Sequence, residues 1–154
     1  MTITSPSSQL KNLYEEDFNL WIEYTIKLLK ETRFEKVDLD NLIEEIEAMG
    51  RREKRELESR LITIIEHLLK LQYWTAEKED NQRGWRITVI EQRRKLNRLL
   101  KDSPSLNRFL EDIFLECYQT ARQDTLKKYD LSSAIFPVSP PFTVKKIINT
   151  DYLP

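Results

Sequence analysis

The chain has 154 residues, of which 40% are hydrophobic and 33% charged, and its net charge is −1. That composition is too apolar for a disordered chain and long enough for one domain to bury a core, while a pI of about 6.0 speaks against a dedicated nucleic-acid binder. Two glycines are too few for a turn-rich all-β fold, and one cysteine excludes an internal disulfide framework.

In chain order, "MTITSPSSQLKN" carries no basic-then-apolar signal pattern and reads as a flexible N-terminus over residues 1–12. Residues 13–154 read as a single helical domain. Tyr14, Phe18, Trp21, Ile22, Thr25, Leu28 and Leu29 recur on one face of an amphipathic helix over about 14–32. Residues 33–37 form the first connection, and Asp38 is placed to cap the helix that follows.

Leu39, Leu42, Ile43, Ile46 and Met49 make a second stripe, which ends at Gly50 as a helix C-cap would. The period nevertheless continues through Glu53, Leu57, Leu61, Ile64, Leu68 and Leu71, all within one face at ~100° per residue. Either one long helix runs over about 38–73, or two helices break near Gly50; the unbroken period favours one helix. If it runs on, Glu53 points into the bundle and needs a partner, such as Arg60 or an arginine of the next helix. If it breaks, Glu53 faces water.

"TAEKEDNQRG" has no apolar period and reads as a loop. Trp85, Val89, Leu96, Leu99 and Leu100 define a third helix over about 84–101. "DSPSL" then offers Ser103 as N-cap and Pro104 as first helical residue of a fourth, with Leu106, Leu110, Ile113, Cys117 and Ala121 on its buried side. The tail, 131–154, contains the extended "IFPVSPPF" and one short helix from Val144. The sum is an all-α protein, a four-helix bundle with a proline-rich C-terminal tail that packs back on it. No apolar run approaches the ~20 residues that span a bilayer, so the expectation is a cytoplasmic protein without membrane contact.

"YEEDFNLWIEYTIKLLKETRFEKVDLDNLIEEIEAMGRREKRELESRL", "HLLKLQYW", "GWRITVIEQRRKLNRLLKDSPSL" and "FPVSPPFTVKKIINTDYLP" together resemble a bacterial family known as domain of unknown function number twenty-nine. The resemblance covers about residues 13–154. It implies an all-α fold and a small bacterial protein of a kind abundant in photosynthetic bacteria, and it brings no activity, cofactor or catalytic residue. Gly84 departs from the serine usual before that tryptophan.

Three chemistries compete. Glu44 and Glu47 share a helix face, and Glu77 and Asp80 repeat the spacing; such pairs hold magnesium in helical pyrophosphohydrolases, which makes a metal-dependent hydrolase one reading. Against it, the first pair lies off the buried stripe and the second falls in the apparent loop. Arg86, Arg93 and Arg94 could track the phosphates of a nucleic acid, but no recognition motif accompanies them. Eleven acids against four bases between Tyr14 and Met49, and seven bases against one acid between Arg83 and Lys101, suit helix packing instead. His67, the only histidine, is the best single acid–base candidate, yet it has no nucleophile at a legible spacing. The candidate polar site is therefore Glu53, Arg60, His67, Trp85, Arg86 and Arg93. The preferred reading is a non-enzymatic protein–protein interaction module that self-associates, needs no cofactor and binds no metal.

Overall fold

The computed structural model describes residues 6–154. Six α-helices and one 3₁₀ turn account for it: α1 Pro6–Glu16, α2 Phe18–Lys30, the 3₁₀ turn Phe34–Lys36, α3 Leu39–Tyr73, α4 Thr75–Asp102, α5 Leu106–Lys128 and α6 Val144–Ile148. The all-α class, the long helix and the short final helix stand as the sequence predicts. The flexible stretch expected over 1–12 falls partly outside the described residues, and from Pro6 onward it is helical.

Contacts gather the chain into two compact units, Met1–Arg51 and Arg52–Pro154. In the first, the helix expected over 14–32 is divided at Asp17, whose carboxylate accepts from the Leu20 amide and starts α2 afresh. Trp21 and Thr25 are the buried residues of α2. Asp38 stands before α3, and its backbone carbonyl accepts from the Leu42 amide at 3.0 Å. Its side chain is used elsewhere, taking hydrogen bonds from the Trp21 indole at 3.3 Å and from Asn41 at 2.7 Å.

Gly50 does not end the helix. α3 runs through it without a break, and Gly50 has no positive φ and open space where a Cβ would stand. The glycine is a weak point of propensity, outweighed by the packing of the residues that follow.

In the second unit the remainder of α3 reverses at a single residue, Trp74, into α4. Arg60 reaching Gln92, and Ser103 reaching Glu53, show that the two helices run antiparallel. α5 returns alongside α3, with Lys54 over the Phe109 ring and Lys70 over the Tyr129 ring. Leu57, Leu61, Ile64, Leu68, Val89, Leu96, Tyr118 and Ala121 are completely buried between these helices. Each aliphatic chain of that size contributes roughly 1.5–3 kcal/mol.

Two expectations need correction here. The segment "TAEKEDNQRG" is helical, so α4 starts at Thr75 rather than near 84. Its lack of an apolar period reflects a helical turn that is exposed on most sides, not a loop. α5 starts at Leu106, with Ser105 at the cap position, two residues later than the sequence suggests. Ser103 is occupied in another way: its hydroxyl donates to Glu53.

Residues 131–154 lie back on α4 and α5. The Tyr118 hydroxyl donates to the Pro137 carbonyl, and Arg122 donates to the carbonyls of Phe136 and Ser133. Phe136, Phe142, Val144 and Ile147 are buried in the process.

Candidate functional site

Each of the polar residues singled out from the sequence has a definite place. Glu53 is half-buried and accepts from Ser103 Oγ at 2.8 Å, so its partner is a hydroxyl rather than Arg60 or an arginine of α4. Arg60 instead clasps Glu56 one turn back at 2.6 Å and donates to Gln92 at 2.9 Å. Arg86 is exposed.

Arg93 is 1% exposed and holds the tail. Its Nε donates to the Ile147 carbonyl at 2.6 Å, one terminal nitrogen donates to the Tyr152 carbonyl at 2.9 Å, and the other is buried without a partner. Asn97 adds a bond to the Ile148 carbonyl at 3.0 Å. A cation is thus set against carbonyls at the C-terminal end of α6, where a helix leaves its acceptors open. Burial holds the guanidinium below its usual pKa, with Tyr152 acting the other way. Of the three arginines proposed to track phosphates, this one is spent inside the chain.

His67 and Trp85 are brought to one place by a residue the sequence reading passed over, Lys70. His67 Nδ1 lies 2.9 Å from the Thr63 carbonyl, which can only accept, so Nδ1 carries the proton. Nε2 is left with its lone pair and lies 3.4 Å from Lys70 Nζ. Lys70 is 5% exposed and sits over the Trp85 ring at 5.2 Å and the Tyr129 ring at 5.4 Å. Trp74 stacks on Trp85 and tilts against Tyr129, completing an aromatic wall. Burial pushes the Lys70 pKa down, opposed by Glu66 and reinforced by Lys128. Burial likewise lowers His67, against the Thr63 bond and with help from Lys70 and Lys128. Burial raises Glu66, while Lys128 and Lys70 pull it down. The group is a desolvated amine facing the free nitrogen of an imidazole, with the Glu66 carboxylate acting on the amine through its charge. The available signal was a lysine inside "LITIIEHLLKLQYW", where apolar residues cover more than half the helix.

The carboxylates of the metal reading are used singly. Arg51 binds Glu44 at 2.9 Å and Glu47 at 3.8 Å, and Glu77 accepts from Asn81 at 3.3 Å. Asp80 is exposed. Among the described residues no group of three or more His, Cys, Asp or Glu side chains could hold a metal ion.

The first unit has its own cluster. The Tyr14 hydroxyl donates to Glu45, and that bond, with burial and the neighbouring carboxylates, pushes Tyr14 up to about 12. Tyr14 packs edge-on against Phe18 and Trp21 at 5.7 and 5.0 Å. These contacts turn the Asp38, Asn41 and Glu45 side of α3 inward. As a result the apolar stripe is turned out: Leu39, Ile43, Ile46 and Met49 are 59%, 46%, 59% and 61% exposed. On α2, Phe18, Ile26 and Leu29 are exposed as well. This row is the feature of the molecule with the least internal explanation.

Among the described residues no helix is long and apolar enough to cross a membrane. No curated protein and no solved structure matches the chain. The model of one family, described as "Domain of unknown function DUF29", matches residues 13–153. With nearly its whole length covered, the chain belongs to the DUF29 family.

Proposed function

We propose that the protein is a non-enzymatic interaction module that self-associates through the outward face of α3. The observation that carries this reading is the row Leu39, Ile43, Ile46 and Met49, four large apolar side chains in water on one helix face. Contiguous apolar patches of this kind mark contact surfaces.

A second copy fits because the spacing reads nearly the same in both directions. In an antiparallel pair about a two-fold axis near Glu44, Leu39 of each copy meets Met49 of the other, and Ile43 meets Ile46. Such an interface is isologous and closes on itself. Arg51 supports it by neutralising Glu44 and Glu47, which would otherwise repel their counterparts. A stable dimer buries about 1,200–2,000 Å², more than four side chains supply, so the exposed Phe18, Ile26 and Leu29 of α2 join the contact. The lone thiol, Cys117, is buried and its pKa is pushed up to about 12, chiefly by burial. A single cysteine left as a free thiol suits the further reading of a reducing, cytoplasmic setting.

Sedimentation velocity over a concentration series tests the proposal. The native chain is expected to shift from monomer to dimer, and Ile43→Glu or Ile46→Glu to weaken that association at least tenfold. Ile87→Glu, at another exposed position, should leave it unchanged. A chain that stays monomeric throughout, or equal behaviour of all three variants, would falsify the reading.

A further inference from the structure

The first unit contains a cavity of about 520 Å³. That is within the size range of small-molecule sites, roughly 300–1,000 Å³. Its wall is aliphatic: Leu10 is buried, and Leu13, Leu20 and Leu28 are half-buried. The rest of its lining is Gln9, Tyr24 and Glu31 with three cations, the exposed Lys27 and Arg33 and the half-buried Lys36. Arg33 already has a carboxylate, Glu31, at 3.4 Å. Lys27 and Lys36 belong to none of the ion pairs found among the described residues.

A leucine wall below unpaired ammonium groups has one chemical complement, an anionic head on an aliphatic chain. Loss of water from the chain supplies non-directional affinity, about 0.8 kcal/mol for each buried CH₂. The lysines decide the sign of the head group and its orientation, since Lys offers a mobile point charge with three donors.

We propose that this cavity is a binding site for a free, single-chain aliphatic carboxylate, with the chain against Leu10, Leu13, Leu20 and Leu28 and the head group met by Lys27 and Lys36. A volume of about 520 Å³ holds one short chain, which favours a free acid over a bilayer surface. Nothing in this assignment depends on self-association through α3.

The experiment is calorimetric titration of the full chain with decanoate below its micelle concentration, and with decyltrimethylammonium as the same chain of opposite charge. Saturable one-to-one binding of decanoate alone is expected, weakening about tenfold in Lys27→Glu/Lys36→Glu, the loss of ~1.4 kcal/mol. Raised salt should weaken it as well. Circular dichroism of the charge-reversal variant separates lost binding from lost folding, and Lys27→Arg/Lys36→Arg should retain binding. Equal binding of both amphiphiles, or indifference to the charge reversal, overturns the proposal. So does an absence of decanoate binding, including the case in which the reversal alters self-association instead, which would assign the cavity to a second copy of the chain.

Discussion

The two units of this chain solve burial differently. Residues from Arg52 onward contribute twenty side chains to one continuous buried apolar cluster and leave five large hydrophobics exposed, Ile87, Ile90, Leu115, Tyr129 and Val138. Among the described residues up to Arg51, only Leu10, Trp21 and Val37 are buried hydrophobics, against nine large ones exposed. The longer unit closes this cluster because its helices are long and return on themselves at Trp74. The shorter one spends its inward surface on polar bonds, Trp21 to Asp38 and Tyr14 to Glu45, and so turns its greasy stripe outward. The same amphipathic period therefore means core in one half of α3 and an exposed apolar row in the other.

The largest effect that tests this contrast is a pair of truncations on α3. Leu61→Ala, at a fully buried site, should cost about 2–5 kcal/mol, read as a fall in Tm of roughly 5–15 °C. Ile43→Ala, at an exposed site on the same helix, should stay within about 0.5 kcal/mol in dilute solution. Comparable losses from both would erase the distinction.

A smaller effect comes from pH. His67 is held below its ordinary 6.5, so near that pH the unfolded chain binds the proton more readily than the folded one. Its stabilising share is therefore complete above about pH 6.5 and declines as pH falls further. Glu66 is raised above 4.5 and acts in the opposite sense, because ionising it in place grows costly as pH rises. Comparing denaturation midpoints of the native chain and His67→Gln at pH 5.5 and 7.5 isolates the imidazole. The native chain should hold the larger advantage at pH 7.5, and an unchanged difference would refute the assignment.

The smallest expected effect is a gain. Gly50→Ala should stabilise by about 0.5–1 kcal/mol, because the helix is already formed there and a Cβ meets nothing within 4 Å. A loss on thermal melting would mean that the joint needs glycine after all. Gly84, where relatives are expected to carry serine, has the same open surroundings.

Periodicity made α3 legible, including its passage through Gly50, because the apolar positions on either side share one face. It could not say which half of that stripe is covered, since coverage depends on which neighbours the polar residues recruit. It also missed the first turns of α4, where exposed charged residues leave no pattern. For the polar groups, sequence placed Glu53 on the apolar stripe and singled out His67 and Arg93 for other chemistry, while the partners of Glu53 and Arg93 lie 50 and 54 residues away. A hydroxyl and a main-chain carbonyl carry no signal at such separations. Lys70 was hidden by the ordinary assumption that lysine belongs in solvent.

The bonds from Arg93 to the carbonyls of Ile147 and Tyr152 have a consequence for how the tail opens. A guanidinium so enclosed cannot exchange its partners one at a time for water, since the remaining contacts still exclude solvent. Detachment of the tail must therefore hydrate the charge in a single event. Amides of the segment around α6 should exchange deuterium together, as one cooperative block, with no gradient of fraying from its end.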